Sequence, residues 1–148
     1  MKAKDIMTRA LHVITSDEPV SRAALLMARE DVGILPVVDS PASMHMVGVI
    51  TDRDIAVRHV GHHHTADCSV RTHMTDADLV TVGEDDHIHD VMGRMRHYQV
   101  RRIPVLNEQH RLVGIIAQAD LARQVAPEEP LAFEKMMEGV STPAVAAV

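Results

Sequence analysis

Thr51 and Asp54 stand three residues apart, where the apolar run Met46 to Ile50 gives way to Thr51-Asp52-Arg53-Asp54-Ile55. That spacing predicts a strand passing into a helix, with a hydroxyl at the helix start and a carboxylate one turn on. Unpaired backbone N–H groups and the positive dipole end favour phosphate there. The hydroxyl adds a donor to a phosphate oxygen, and the carboxylate can accept from both hydroxyls of a ribose. The same four residues are also a plain capping box, worth about 0.5–2 kcal/mol to the helix. Both readings can hold in different ligand states.

The motif returns downstream as Ala117-Gln118-Ala119-Asp120, with the carboxylate kept and the hydroxyl gone. A pocket using Asp120 therefore loses one contact of roughly 1.5–3 kcal/mol, about ten- to hundredfold in affinity. The two sites should not be equal. Arg101 and Arg102 form an adjacent cationic pair whose guanidinium forks suit phosphate oxygens. Their bland role is a surface ion pair with a neighbour such as Glu108.

Histidine is the competing signal. His59, His62, His63, His64, Cys68 and His73 lie within a short stretch, and nitrogen with sulfur is zinc-like chemistry. Contiguous histidines do not easily face one ion, and no two-plus-two spacing is present. The expectation is a solvated, pH-sensitive loop and no metal, with His62, His64 and Cys68 the candidates if one binds. His87 and His89 flank a helix start, and His97 ends that helix near the arginine pair. An activated Cys68 thiol is conceivable beside histidine. No nucleophile-elbow, phosphate-loop or metalloprotease pattern occurs. Asp52 and Asp54 point to different helix faces and make a poor acid–base pair, so the expectation is that the chain is no enzyme.

These residues recur because the chain repeats. Ile6-Met7-Thr8 returns as His73-Met74-Thr75, Val32 to Asp39 as Val100 to Asn107, and Gly48 to Ile55 as Gly114 to Leu121, at nearly constant offset. Each copy reads as strand, helix, strand, strand, helix. The first runs Val13–Thr15, a helix carrying Val20, Ala23, Ala24 and Met27 on one stripe, Leu35–Val38, Met46–Ile50, and a helix from Thr51 through Arg58. The second runs Leu79–Val82, a helix with Ile88, Val91, Met92 and Met95 inward, Ile103–Leu106, Leu112–Ile116, and a helix from Gln118 ending before Pro127. The expected divisions are 1–58 and 70–126 for the repeats, a His-rich linker at 59–69, and a partly flexible tail at 127–148 with a short helix over 131–138.

At 148 residues the chain can bury a real core. Tyr98 and Phe133 are its only aromatics, so aliphatic residues and ten Met must build that core. A net charge of −6 and no stacking platforms argue against nucleic acid. No apolar stretch approaches the roughly 20 residues of a membrane span. One cysteine and a start without an apolar leader imply a cytoplasmic setting.

The duplicated pattern resembles a tandem pair of cystathionine-β-synthase (CBS) domains, the two-repeat Bateman module. The likeness covers roughly residues 4 to 125 and is closest to small stand-alone bacterial members, through Ile50 to Ile55 and Val100 to Val105. It implies an α+β fold of two β-α-β-β-α repeats with pseudo-twofold symmetry. It also implies pockets that combine the Asp-bearing motif of one repeat with early strands of the other. Pocket one would join Thr51 and Asp54 to Thr81, Val82, Arg101, Arg102 and Ile103. Pocket two would join Asp120 to Thr15, Val32, Gly33, Ile34 and Leu35. The implied ligand is an adenine nucleotide, AMP first and ATP, ADP or NAD behind it, its base lying between aliphatic side chains. The function implied is a sensor that shifts population on binding and signals to another protein. A homodimer is implied too, with the exposed faces of the helices around Met27 and Met92 as candidate contacts. The alternatives are a metal- or redox-responsive protein working through the His/Cys linker, and a ligand-free dimerisation scaffold.

Overall fold

The structure is a computed structural model describing residues Met1–Ser141. In chain order its elements are α1 (Ala3–Ile6), β1 (Ile14–Thr15), α2 (Val20–Glu30), β2 (Ile34–Val38), β3 (Met46–Thr51), α3 (Asp52–Asp54), a π-helical turn (Ile55–Val60), α4 (Val70–His73), β4 (Val82–Gly83), α5 (Ile88–Tyr98), β5 (Arg102–Leu106), β6 (Leu112–Ala117), α6 (Gln118–Gln124) and α7 (Pro130–Ser141). Both repeats keep the expected α+β order. A single-turn helix precedes each, and four residues carry too little periodicity to be predicted. The strand expected at Leu79–Val82 is Val82–Gly83 instead. The tail helix is longer than expected, and the end of the tail lies outside the described residues.

The chain folds into two compact units that do not follow repeat order. The repeat-one unit holds His12–Leu79 with His110–Leu112, and so takes α4 from the start of the second repeat. Among the described residues, the repeat-two unit holds Met1–Leu11, Val80–Gln109 and 113–141, and so takes α1.

In the repeat-one unit β1 runs parallel to β2 (Ile14↔Val37) and β2 antiparallel to β3 (Ile34↔Thr51, Leu35↔Ile50). Val20, Ala23 and Met27 are the buried stripe of α2, which ends at Asp31 in the left-handed region. Ile14, Ala23, Met27, Leu35, Val37, Ile50 and Val70 form the core. The repeat-two unit has the sheet order β4-β5-β6, with Val82 paired to Val105. Ile88, Val91, Met92 and Met95 are the buried face of α5, and Gln99 closes it, again left-handed. Helix α7 packs on α5 and adds Met136 and Val140 to that core.

Met27 and Met92 themselves are core residues. An unbranched thioether fills gaps that a core without aromatics leaves. Ala24, expected on the buried stripe, is instead exposed, and the exposed large apolar residue of α2 is Leu25, at 61%.

The swapped helices are held by matched devices. Thr75 exchanges backbone hydrogen bonds with Val49, and Thr8 does so with Ile115. Gly48 and Gly114 sit beneath these bridges, where a Cβ would meet the Thr75 carbonyl oxygen at 2.8 Å and the Met7 Cγ at 2.6 Å respectively. At Gly114 the Met7 Cβ also lies 2.9 Å away, and a Cβ moves only with its backbone, so neither site opens by turning a side chain. Gly48→Ala and Gly114→Ala should each destabilise by roughly 1–2 kcal/mol. Paired thermal melts check both.

Near α1, Asp85 Oδ1 receives the Lys2 and Lys4 ammonium groups, each at 2.8 Å. The Lys2 and Lys4 hydrogen bonds, then their charges, hold this carboxyl down to about 2 from 3.8. Its contribution to stability is therefore full above the ordinary value and is lost as pH falls through about 2. Side-chain carboxyl NMR should place the Asp85 midpoint near that value, and Lys2→Ala with Lys4→Ala should return it toward the ordinary range.

Candidate functional site

Strand β3 ends at Thr51 with extended backbone, and α3 starts on the next residue. The predicted capping box is formed. Thr51 Oγ1 accepts from the Asp54 N–H at 3.1 Å, and Asp54 Oδ2 accepts from the Thr51 N–H at 3.0 Å. Accepting uses a lone pair of the Thr51 hydroxyl and leaves its proton to donate. Asp54 Oδ1 faces the Arg58 guanidinium at 3.4 Å, a long contact. Arg58 also donates to the His73 carbonyl at 3.1 Å and reaches Thr75 Oγ1 at 3.3 Å.

The second motif is built alike, minus the hydroxyl. Asp120 Oδ2 accepts from the Ala117 N–H at 2.8 Å, and Oδ1 accepts from Arg123 Nη2 at 2.6 Å. Asp120 is only 5% exposed. Beside it, the Gln118 Nε2 amide is buried without a hydrogen-bond partner among the described residues. A buried donor left unpaired costs about 1–3 kcal/mol. The arginine on the turn after each Asp was missed in the sequence, although i,i+3 and i,i+4 spacing predicts the pairing.

The remaining predicted residues fall as follows. In the repeat-one unit, register sets Ile34 opposite Thr51, and the Gly33 carbonyl accepts from the Asp52 N–H at 3.0 Å. A Cβ on Gly33 would lie 2.9 Å from Asp52 Oδ2, so Gly33 permits this approach. Val32 and Ile34 are half-buried, while Leu35 is core. Thr15 donates through its N–H to Glu18 Oε2 at 2.8 Å and through its hydroxyl at 3.2 Å. In the repeat-two unit, the Arg101 carbonyl accepts from the Gln118 N–H at 3.1 Å, matching Gly33 and Asp52. Arg101 is exposed and Arg102 half-buried. The Thr81 carbonyl accepts from Arg94 Nη1 at 3.2 Å. Val82 and Ile103 are core, so what they and Leu35 can offer a ligand is backbone. Each unit brings together the residues of its own repeat, and each expected pocket draws on both units.

The linker departs from the solvated loop expected. His62 and His63 are exposed, but His59 and His73 are 7% and 2% exposed, with His59 Nδ1 3.2 Å from His73 Nε2. His59 lies on the π-helical turn and His73 ends α4. Burial first, then the neighbouring His59 and His64, lowers the His73 pKa below 6.5. Half-buried Cys68 has its Sγ 3.3 Å from His64 Nδ1. The candidate ligand atoms of His59, Cys68 and His73 all lie within 4.8 Å of one another. The residues gathered are thus His59, Cys68 and His73 with His64 alongside, in place of His62, His64 and Cys68.

His87 Nδ1 accepts from the His89 N–H at 3.4 Å at the start of α5, and His89 pairs with Glu129. His97 stacks edge-on with Tyr98. Among the described residues no helix is long and apolar enough to cross a membrane.

Residues 3–60 and 70–127 each match the CBS domain family. Hypoxic response protein 1 of Mycobacterium tuberculosis is 31% identical over 133 residues, spanning 90% of this chain and 91% of that protein. The CBS domain-containing protein YhcV of Bacillus subtilis is 34% identical over 119 residues, spanning 80% of this chain and 81% of YhcV. Among solved structures, Hypoxic Response Protein I with two coordinated zinc ions superposes with a TM-score of 0.75 at 30% identity, covering 84% of this chain and 99% of that one. The CBS domain pair of protein MJ0100, in complex with 5′-methylthioadenosine and S-adenosyl-L-methionine, gives a TM-score of 0.71 at 26% identity, covering 83% of this chain and 98% of that one.

Proposed function

The chain belongs to the CBS domain family as a tandem pair, and we propose that this member is a sensor that binds an adenine nucleotide, AMP before ATP, ADP or NAD, and signals to another protein. The observation that carries the reading is the disposition of Asp54. One of its oxygens is fixed by the Thr51 N–H, and the other faces Arg58 at a distance a ribose hydroxyl can improve on. Thr51 keeps its hydroxyl proton for a phosphate oxygen, and Asp120 supplies the second ribose clamp without that help. The unpaired Gln118 amide is a ready donor beside it. The MJ0100 pair, which holds two adenosyl ligands, supports the ligand class.

We assign Thr15, Val32, Gly33, Ile34, Leu35, Thr81, Val82, Arg101, Arg102 and Ile103 to recognition of the base and phosphate, largely through backbone groups. Binding would act by population shift, stabilising one conformation by as much as the ligand's affinity differs between states. Micromolar affinity, about 8 kcal/mol in standard free energy, gives ample scope. Calorimetric titration with AMP, ATP, ADP, NAD and adenosine tests this. Saturable binding of AMP, weaker for adenosine, is the expected result, and no heat from any adenosyl compound would retire the reading.

A further inference from the structure

Overlaying the two repeats isolates a chemical difference. His59 occupies the position of Val125, and His73 that of Ile6. The geometry matches as well: Arg58 donates to the His73 carbonyl as Gln124 donates to the Ile6 carbonyl. The repeat-two unit buries Val125 and Ile6, while the repeat-one unit buries two imidazoles at equivalent places. Burying polar rings where apolar ones fit is costly unless they gain a partner.

We propose that His59, Cys68 and His73 form a binding site for a borderline-soft divalent cation of the zinc type, with His64 placed to complete the set. Zinc bonds of about 2.0–2.3 Å to nitrogen and sulfur set tetrahedral ligand separations of roughly 3.3–3.6 Å. The 3.2 Å between the imidazole nitrogens of His59 and His73, and the 3.3 Å from His64 Nδ1 to Cys68 Sγ, are already close to those edges. A contraction of about 1 Å brings the widest pair of the triad into range.

The frame is fixed by backbone. The Cys68 carbonyl accepts from the Val20 N–H at 2.8 Å, the Val70 N–H donates to Glu18 at 2.9 Å, and the His64 N–H donates to His59 at 3.1 Å. The π-helical turn re-aims His59 inward, and such turns often mark functional positions. Arg58 is the nearby cation, and a Cys68 thiolate offsets it. The donor set of imidazole and thiolate selects zinc-like ions over magnesium or calcium.

The test is titration of chelator-treated full-length protein with zinc, alongside cobalt as a spectroscopic probe. The parent should take one ion per chain, with a thiolate-to-cobalt charge-transfer band. Cys68→Ser should lose that band and bind zinc at least about tenfold more weakly, since even outer-shell changes cost that much. His59→Val with His73→Ile borrows the pair that the other unit already buries, so it should fold and lose the site. If that double variant or Cys68→Ser takes zinc as tightly as the parent, or if the parent's cobalt complex shows no thiolate band, the assignment is wrong and the exposed loop histidines are the binders. A parent that takes no zinc overturns it outright.

Discussion

Asp54→Ala should lower AMP affinity by about ten- to hundredfold, the equivalent of losing one hydrogen bond to a charged group. The carboxylate oxygen facing Arg58 at 3.4 Å is the one a ribose would take over, because the other is held at 3.0 Å by the Thr51 N–H. Removing the side chain also removes half of the capping box, so some stability goes with it, about 0.5–2 kcal/mol. The affinity loss must be separated from that cost. Thr51→Val provides the contrast: it deletes the phosphate donor and the cap acceptor while leaving the ribose clamp. Asp54→Ala should then weaken adenosine and AMP alike, whereas Thr51→Val should weaken AMP and spare adenosine. Unchanged AMP affinity in Asp54→Ala, measured well below the melting temperature, would leave the box with capping as its whole role.

What could be read from the sequence follows from the length of each signal. Helices α2 and α5 show two full apolar turns each, so Val20-Ala23-Met27 and Ile88-Val91-Met92-Met95 were legible as buried stripes. The capping box was legible because its two partners are three residues apart. Helices α1 and α4 were not, since one turn has no period, and their swap onto the other repeat's unit is a tertiary fact that no local pattern encodes. The π-helical turn was missed for a similar reason: it breaks the 3.6-residue period without a Gly or Pro inside it. The His59–His73 pair was hidden behind the more conspicuous His62-His63-His64 run. Aligning the two copies position by position would have exposed it, because two polar residues stand where the other copy has Val125 and Ile6. Periodicity alone does not say how far a stripe wraps around its helix: Met27 and Met92 are enclosed, while Ala24, expected on the same stripe as Met27, is exposed.

The two Asp residues should part company in stability. Asp120→Ala should cost about 2–3 kcal/mol, combining a lost cap with a lost charge-assisted hydrogen bond. Ala117 has no side-chain acceptor, so the carboxylate is the side-chain cap at the head of α6. Its removal leaves the Ala117 N–H short of a partner and frees Arg123, which is mostly solvent-exposed and relaxes into water. At Asp54 the Thr51 hydroxyl survives on the opposite arm of the box, and the carboxylate is less enclosed. Asp54→Ala should therefore melt higher than Asp120→Ala. With roughly 2–4 °C per kcal/mol for a chain near this size, the deficit of Asp120→Ala against the parent is about 4–12 °C. The order in AMP affinity should be the reverse, with Asp54→Ala the more damaging because Thr51 makes its site the stronger of the two. Crossed rankings in melting and calorimetry are what two unequal clamps require, and a single variant that is worse in both would mean that the repeats do not divide the work in this way.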